Sequence, residues 1–203
     1  MAGFNVRTVL VTGANRGIGL ELVKQLLEKS SPPEWVFATC RDPEGERAQQ
    51  LKNLVSRHPN LVIVALEATD PASIKAAATR VEEHLKGSGL NLLINNAAIG
   101  GNGTLESETL DDMSLVYTTN VTGPLLVSQA ALNMLTKCQS LGYEGDGILS
   151  IAVHPGWVQT DMGSFMAPVT VDASVRGILN VLPTLSEKDN GAFVSWEGKV
   201  LPW

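Results

Sequence analysis

The chain has 203 residues, 44% of them hydrophobic and 18% charged, which predicts a single domain (residues 1–203) with a sizeable core. The net charge of −6 disfavours binding to nucleic acid or to an anionic membrane surface. No apolar run approaches the roughly 20 residues that span a bilayer, and the scattered histidines predict no metal site. With only Cys40 and Cys138, and no secretory pattern at the start, we expect a cytoplasmic protein.

Apolar runs rich in β-branched residues alternate with helical patterns along the chain, an order typical of parallel strands joined by crossover helices. The fold class is therefore α/β. The predicted strands are Val6–Val11, Trp35–Cys40, Leu61–Leu66, Leu90–Asn95, Ile148–Val153 and Ala192–Ser195. The predicted helices are Gly17–Lys29, Glu44–Arg57, Pro71–Lys86 and one beginning near Leu110.

Two local signals predict the start of the third helix and the loop after the fourth strand. Asp70 is expected to cap the helix, because Pro71 suits a first helical position where a missing amide hydrogen costs nothing. Residues 97–103 are rich in glycine and predict a loop. No repeat or low-complexity tract indicates a linker.

A glycine-rich turn, Thr12-Gly13-Ala14-Asn15-Arg16-Gly17-Ile18-Gly19, lies between the first strand and the first helix. Backbone amides and the positive helix end converge in such a turn, where a pyrophosphate can bind. Gly13 permits the tight turn, Gly17 allows close approach to phosphate, and Gly19 allows helix and strand to pack. The alternative is a turn that is merely rich in glycine, but the strand and helix on either side favour a dinucleotide site.

The nucleotide preference is predicted from the tip of the second strand, where Arg41 follows Cys40. A cation at this point pairs with a 2′-phosphate, whereas a carboxylate would bind the ribose 2′-hydroxyl. Arg41, supported by Arg16 in the glycine turn, therefore favours NADP(H) over NAD. In the alternative interpretation, Arg41 is a solvated side chain paired with Asp42.

Four ordered motifs carry a family resemblance. They are the glycine turn at 12–19, Asn95-Asn96-Ala97-Ala98, Thr119-Asn120-Val121-Thr122-Gly123, and the run from His154 to Met162. With these motifs the chain resembles the short-chain dehydrogenase/reductase family, most closely carbonyl reductases of the Sniffer and C-factor type. The resemblance covers nearly the whole chain and implies a Rossmann-like, doubly wound parallel sheet in three α/β/α layers, with NADP(H) as cofactor and a small carbonyl compound as substrate.

The resemblance also implies roles for individual residues. Asn120 matches the family asparagine that orders a proton-relay water, and Asn96 and Ala97 match positions along the cofactor. The expected cofactor-binding residues are Gly13, Asn15, Arg16, Gly17, Ile18, Gly19, Arg41, Asn96, Ala97, Pro155, Gly156, Val158 and Thr160. For Pro155-Gly156 an ordinary turn is the alternative.

The serine, tyrosine and lysine that complete the family's catalytic machinery are not found. The only tyrosines are Tyr117 and Tyr143, and neither is followed four residues later by lysine. The resemblance indicates an internal deletion at the junction of Gln129 and Ala130, which removes one central strand and about forty to fifty residues. A skipped exon would produce such a shortened isoform.

Without these groups, the chain is predicted to be catalytically impaired, because general acid catalysis contributes about 10² to 10⁴ in rate. Both tyrosines are interpreted as packing residues. His154 is a possible substitute donor, since it ends a strand and its side chain type titrates near neutral pH. A histidine that only hydrogen-bonds in its loop is the competing interpretation.

The deletion leaves a strand, helix, strand order that can still fold. We expect a fused helix over Val121–Leu141, and Ile148–Val153 to enter the vacant position beside Leu90–Asn95. Family members often pair through the helices fused here, so a homodimer is possible with an altered surface. The open alternatives are a non-catalytic NADP(H)-binding or partner-binding protein and an unstable splice product.

Overall fold

The computed structural model describes residues 6–86, 88–100, 108–132 and 147–202. The strands are β1 (Thr8–Val11), β2 (Trp35–Cys40), β3 (Leu61–Ala65), β4 (Leu92–Ile94), β5 (Ala152–His154), β6 (Phe193–Ser195) and β7 (Val200–Leu201). The α-helices are α1 (Gly17–Leu27), α2 (Gln49–Val55), α3 (Pro71–Leu85), α4 (Leu110–Tyr117), α5 (Gly123–Leu132) and α6 (Val171–Val181). The described residues fall into two compact units, Val6–Leu132 and 147–202. The single domain therefore stays a prediction.

The first unit is built on a parallel sheet with the strand order β3-β2-β1-β4. Val9 of β1 lies opposite Val36 on one side and Leu92 on the other. All four residues of β1 are buried, as a parallel strand covered by helices on both faces requires. This sheet and its flanking helices confirm the Rossmann-like α/β class.

The core of the first unit lies between the sheet and α3. Phe37 of β2 is fully buried there, against Ile74, Ala77 and Val81, which recur along one face of α3. Asp70 caps α3 as expected, accepting a 2.9 Å hydrogen bond from the Ala72 amide. The apolar periodicity of this helix therefore determines which of its faces packs against the sheet.

The second unit contains a smaller sheet. β5 pairs with β6 in parallel, and β6 pairs with β7 in antiparallel orientation. The expected pairing of Ile148–Val153 with the fourth strand is wrong, since among the described residues β4 pairs with β1 alone. β5 pairs with β6 instead, and it begins only at Ala152 because the Ser150 amide donates to Asn190 Oδ1 and the Ser150 carbonyl accepts from the Gly191 amide.

Other predicted bounds differ by a few residues. The predicted helix over Glu44–Arg57 is a 3₁₀ turn at Glu46–Ala48 followed by α2, and the fused helix begins with a π-helical turn at Thr118–Thr122 before α5. The rest of that helix, part of the loop at 97–103, Cys138 and Tyr143 lie outside the described residues. No helix in the described ranges has the length and apolarity needed to cross a bilayer.

Candidate functional site

The glycine turn joins the end of β1 to the start of α1. Gly13 and Gly17 have φ values of +62° and +53°, the left-handed region that glycine adopts without a Cβ penalty. The Ala14 amide donates to the Thr39 carbonyl of β2 at 2.8 Å. The turn is thereby held against the carboxyl edge of the sheet, where ligands of open α/β folds bind.

Asn96 ties this turn to the loop after β4. Its side-chain amide donates to the carbonyls of Thr12, at 2.9 Å, and Gly13, at 3.2 Å. In return, the Thr12 hydroxyl accepts the backbone amides of Asn96 and Ala97 at 3.0 and 2.9 Å. Four hydrogen bonds thus join two segments more than eighty residues apart in the chain.

Close packing at two glycines explains why no other residue fits there. A Cβ on Gly13 would lie 2.8 Å from the Ala97 Cα. A Cβ on Gly19 would lie 2.4 Å from the Gly13 carbonyl oxygen and 2.5 Å from Asn96 Nδ2, shorter than real Cβ contacts. The spacing of the motif therefore reflects contact between turn, helix and loop, as the sequence predicts.

The start of α1 differs from the starts of α3, α4 and α6. In those three helices the side chain of the N-cap residue accepts a hydrogen bond from a backbone amide of the first turn. The N-cap residues are Asp70, Thr109 and Thr170 respectively. At α1 the N-cap residue is Arg16, whose side chain makes no capping hydrogen bond. The amides and positive dipole at this end are thus arranged to receive an anion. The adjacent Asn15 and Ile18 side chains are half-buried in the same turn.

Arg41 follows β2 directly and its side chain is mostly exposed. Its Nε atom lies 4.0 Å from Glu67 Oε2, which follows β3. Asp42, by contrast, accepts the backbone amides of Glu44 and Gly45 at 3.0 Å each. The ion-pair partner of Arg41 is therefore Glu67 rather than Asp42.

Asn120 lies in the π-helical turn between α4 and α5. Its side chain donates to the Ile99 carbonyl at 2.7 Å and accepts the Ile99 amide at 2.9 Å. Asn95 makes a related contact, donating to the Ser128 hydroxyl at 3.0 Å. Both asparagines therefore anchor the loop after β4 to the helical segment that follows it. Ser128 contributes to this anchoring as the partner of Asn95, a role that the sequence alone does not indicate.

The predicted residues of the second unit form a loop after β5. Gly156 has a φ of +88°, and the Pro155 carbonyl accepts the Ser174 hydroxyl at 2.6 Å. The Thr160 hydroxyl contacts the Val158 carbonyl at 3.4 Å and accepts the Gly163 amide at 3.1 Å. Thr160 and Val158 thus share a compact turn, held also by a β-bridge between Val158 and Val169.

His154 is exposed at the end of β5. Its Nδ1 accepts the Gly156 amide at 3.1 Å, and its ring packs edge-on against Phe193 with centroids 6.1 Å apart. In the neutral ring the proton therefore lies on Nε2. Tyr117 is 63% exposed on α4, so the interpretation of this tyrosine as a packing residue is wrong. Among the described residues no group of three or more His, Cys, Asp or Glu side chains forms a metal site.

Cys40, the last residue of β2, is buried at this edge of the sheet. Burial, and secondarily the nearby Asp42 carboxylate, raises the pKa of the Cys40 thiol. The thiolate is the reactive form of cysteine, so this side chain is a packing residue rather than a nucleophile.

Comparison with known proteins gives the family. The model of the family described as short chain dehydrogenase matches residues 7–140. The chain belongs to the short-chain dehydrogenase family. The NADPH-bound carbonyl reductase from chicken fatty liver is similar at 54% identity and a TM-score of 0.94, over 98% of this chain and 100% of that one.

Two further proteins are similar to this chain at lower identity. The carbonyl reductase Sniffer of D. melanogaster is 28% identical, with a TM-score of 0.92, over 98% of this chain and 100% of that one. An uncharacterized oxidoreductase of Schizosaccharomyces pombe is 28% identical over 251 residues, which cover 96% of each chain. That alignment is longer than this whole chain, so it includes residues of the relative that have no counterpart here.

Proposed function

We propose that this chain is an NADP(H)-binding member of the short-chain dehydrogenase family, of the carbonyl reductase type, in which carbonyl turnover is severely impaired. The observation that carries the proposal is the junction of the glycine turn with the Asn96 loop, where four hydrogen bonds join the two segments. This junction maintains the uncapped start of α1 as an anion site, although the catalytic serine, tyrosine and lysine are missing.

The residues present fit a dinucleotide. The left-handed glycines at 13 and 17 leave the turn without side chains that would block a pyrophosphate, and the α1 amides supply donors. Arg41, which is 72% exposed, can turn towards a 2′-phosphate, and Arg16 is a second cation, at the N-cap of α1. The crystal structure of the chicken carbonyl reductase contains bound NADPH, which supports the same cofactor here.

The proposed impairment follows from proton transfer. When bound, NADPH would supply a hydride for carbonyl reduction, and the substrate oxygen would need a proton from a positioned acid of the protein. Neither tyrosine has a lysine four residues later, the spacing of the family's catalytic pair, because Val121 and Gly147 occupy those positions. His154 uses Nδ1 to hold Gly156, which leaves only the Nε2 proton as a substitute donor.

A shortened origin accounts for these absences. Alignments that exceed the chain's own length support an internal deletion, and we propose its position at the junction of Gln129 and Ala130. We further propose that the chain is a cytoplasmic, shortened isoform. Comparison of the gene's transcripts tests this origin. A gene whose only transcript encodes Gln129 followed directly by Ala130 would contradict it.

Titration with NADPH tests cofactor binding. Nicotinamide fluorescence is expected to saturate at one NADPH per chain, and NADH is expected to bind at least tenfold more weakly because it lacks the 2′-phosphate that we assign to Arg41. The R41A variant should lose most of this difference. R57A removes the same charge from an exposed site after α2 and is the matched control, with no change expected.

Turnover tests the impairment. With NADPH and an excess of a quinone or aromatic aldehyde, the account predicts a rate about 10² to 10⁴ below that of an intact family member. The chicken carbonyl reductase is the comparison enzyme, since its chain is 54% identical. Equal turnover by the two proteins would contradict impairment, whereas absence of NADPH binding would contradict the proposed function as a whole.

A further inference from the structure

Glu67 has a carboxylate fixed by its own loop. Its Oε1 atom accepts the Thr69 amide at 3.2 Å and the Thr69 hydroxyl at 3.0 Å, and its backbone amide donates to the Ser73 hydroxyl at 2.9 Å. The side chain is little more than one-third exposed. One carboxylate oxygen is thus bound within the loop, and the other is directed elsewhere.

The second oxygen faces Arg41. Oε2 lies 4.0 Å from Arg41 Nε, and the contact follows from strand register. Cys40 of β2 lies opposite Ala65 of β3, and the Leu66 amide donates to the Cys40 carbonyl at 2.9 Å, so the residues after the two strands are neighbours. The carboxylate therefore reaches the cation that the proposed function assigns to the 2′-phosphate.

No other described acidic side chain forms an ion pair with Arg41. The closest acidic residue in sequence is Asp42, whose Oδ1 is bound to the amides of Glu44 and Gly45. Glu44 itself pairs with Lys52 at 2.8 Å. Glu67 is therefore the carboxylate that competes with an incoming anion for this guanidinium.

We propose that Glu67 is a specificity-determining residue, which lowers the preference for a 2′-phosphorylated nucleotide by holding Arg41 in an ion pair that the phosphate must displace. This inference rests on the proposed function. A ribose 2′-hydroxyl needs neither displacement nor charge compensation, so binding of NADH is unaffected.

The E67Q variant tests this competition. Glutamine keeps the shape and the oxygen that accepts from Thr69, but it removes the charge that faces Arg41. We expect the Kd for NADPH to fall about two- to fivefold, in line with an exposed ion pair, while the Kd for NADH stays constant. In an R41A background, E67Q should leave the Kd for NADPH unchanged.

The matched control is E83Q. Glu83 pairs with Arg80 near the far end of α3, and that 15-residue helix is roughly 22 Å long. E83Q removes the same charge from the protein and should change neither Kd. A general electrostatic effect would instead make E83Q resemble E67Q, which would overturn the proposal.

The outcomes separate this inference from the proposed function. A higher Kd for NADPH in E67Q would mean that Glu67 holds Arg41 in the orientation that binds the phosphate. Equal changes in the Kd for NADPH and for NADH would mean that Glu67 only supports its loop. Either result overturns the competition while NADPH binding stands. Absence of NADPH binding by the unsubstituted chain would defeat the proposed function and this inference together.

Discussion

The two units of the chain organise their loops in different ways. In the first, the Gly13 turn and the Asn96 loop are joined by hydrogen bonds and by glycines without room for a Cβ. In the second, the loop after β5 carries large apolar side chains that are more than half exposed: Trp157, Met162, Phe165 and Met166. The turn that we propose to bind a pyrophosphate is therefore closely packed, whereas the loop after β5 keeps large apolar side chains exposed.

Sheet architecture accounts for part of this difference. β1 has a parallel partner on each side and four buried residues. β5 has one partner among the described residues, and its three residues, Ala152–His154, are half-buried or exposed. The glycine turn therefore follows a strand whose backbone groups are hydrogen-bonded on both edges, whereas the loop after β5 follows a strand with one described partner.

The largest expected effect in the first unit comes from G19A. The added methyl group would meet the Gly13 carbonyl at 2.4 Å and Asn96 Nδ2 at 2.5 Å. We expect NADPH binding to fall at least tenfold and the free energy of unfolding to fall by about 1–3 kcal/mol, measured by fluorescence titration and urea unfolding. G89A is the control, because no atom lies within 4 Å of its added Cβ, and normal behaviour of G19A would contradict the packing argument.

The G177A variant makes the corresponding test in the second unit. Its Cβ would lie 2.4 Å from Trp196 Cε3 and 2.5 Å from the Trp196 carbonyl oxygen. Overpacking outweighs the better helix propensity of alanine, so we expect a net loss of about 1 kcal/mol in urea unfolding. Binding of adenosine 2′,5′-bisphosphate, which engages only the first unit in this account, should be unchanged. If G177A and G19A lost affinity for adenosine 2′,5′-bisphosphate to the same extent, the claim that this ligand engages only the first unit would be wrong.

A smaller effect is expected from N120A. The substitution removes both hydrogen bonds to Ile99 and leaves its amide and carbonyl without that partner. We expect a loss of about 1–2 kcal/mol in the free energy of unfolding and faster amide exchange at Ile99. N53A removes an exposed asparagine that accepts only from Gln49 and should be nearly neutral. Unchanged exchange at Ile99 would show that Asn120 does not anchor this loop.

The smallest effect concerns pH and α4. The Thr109 hydroxyl, and then the Thr109 amide, lowers the pKa of the Asp112 carboxyl below its ordinary value. Its contribution to the helix is therefore complete above the ordinary carboxyl pKa and is lost as the pH falls through the lowered folded-state pKa. NMR shifts of the α4 amides should follow this titration, and D112N should abolish it. Persistence of the same titration in D112N would assign the effect to another group.

Local signals predict much of the first unit. The turn from Thr12 to Gly19 and the cap at Asp70 depend on neighbouring residues, and both lie where the sequence indicates. The capping box of Thr109 and Asp112 is also a local signal, given by residues three positions apart. The start of this helix near Leu110 is predicted from the sequence, but the capping box is not. Backbone conformation at these positions is decided within one turn of chain.

Long-range contacts limit the prediction elsewhere. β5 begins later than predicted because the backbone of Ser150 is hydrogen-bonded to Asn190 and Gly191, about forty residues away in the chain. The pairing of Arg41 with Glu67 depends on the register of β2 and β3, which the strand sequences alone do not specify. Composition and periodicity identify elements, but neither determines which side chains meet across them.

The most direct test combines binding and chemistry in one sample. A saturated complex of the chain with NADPH is mixed with excess quinone, and nicotinamide absorbance is followed. The account predicts that the complex forms, since the anchored turn between Thr12 and Asn96 is intact, and that the absorbance then stays nearly constant. Oxidation of the bound NADPH at the rate of the chicken carbonyl reductase, or failure of the complex to form, would contradict it.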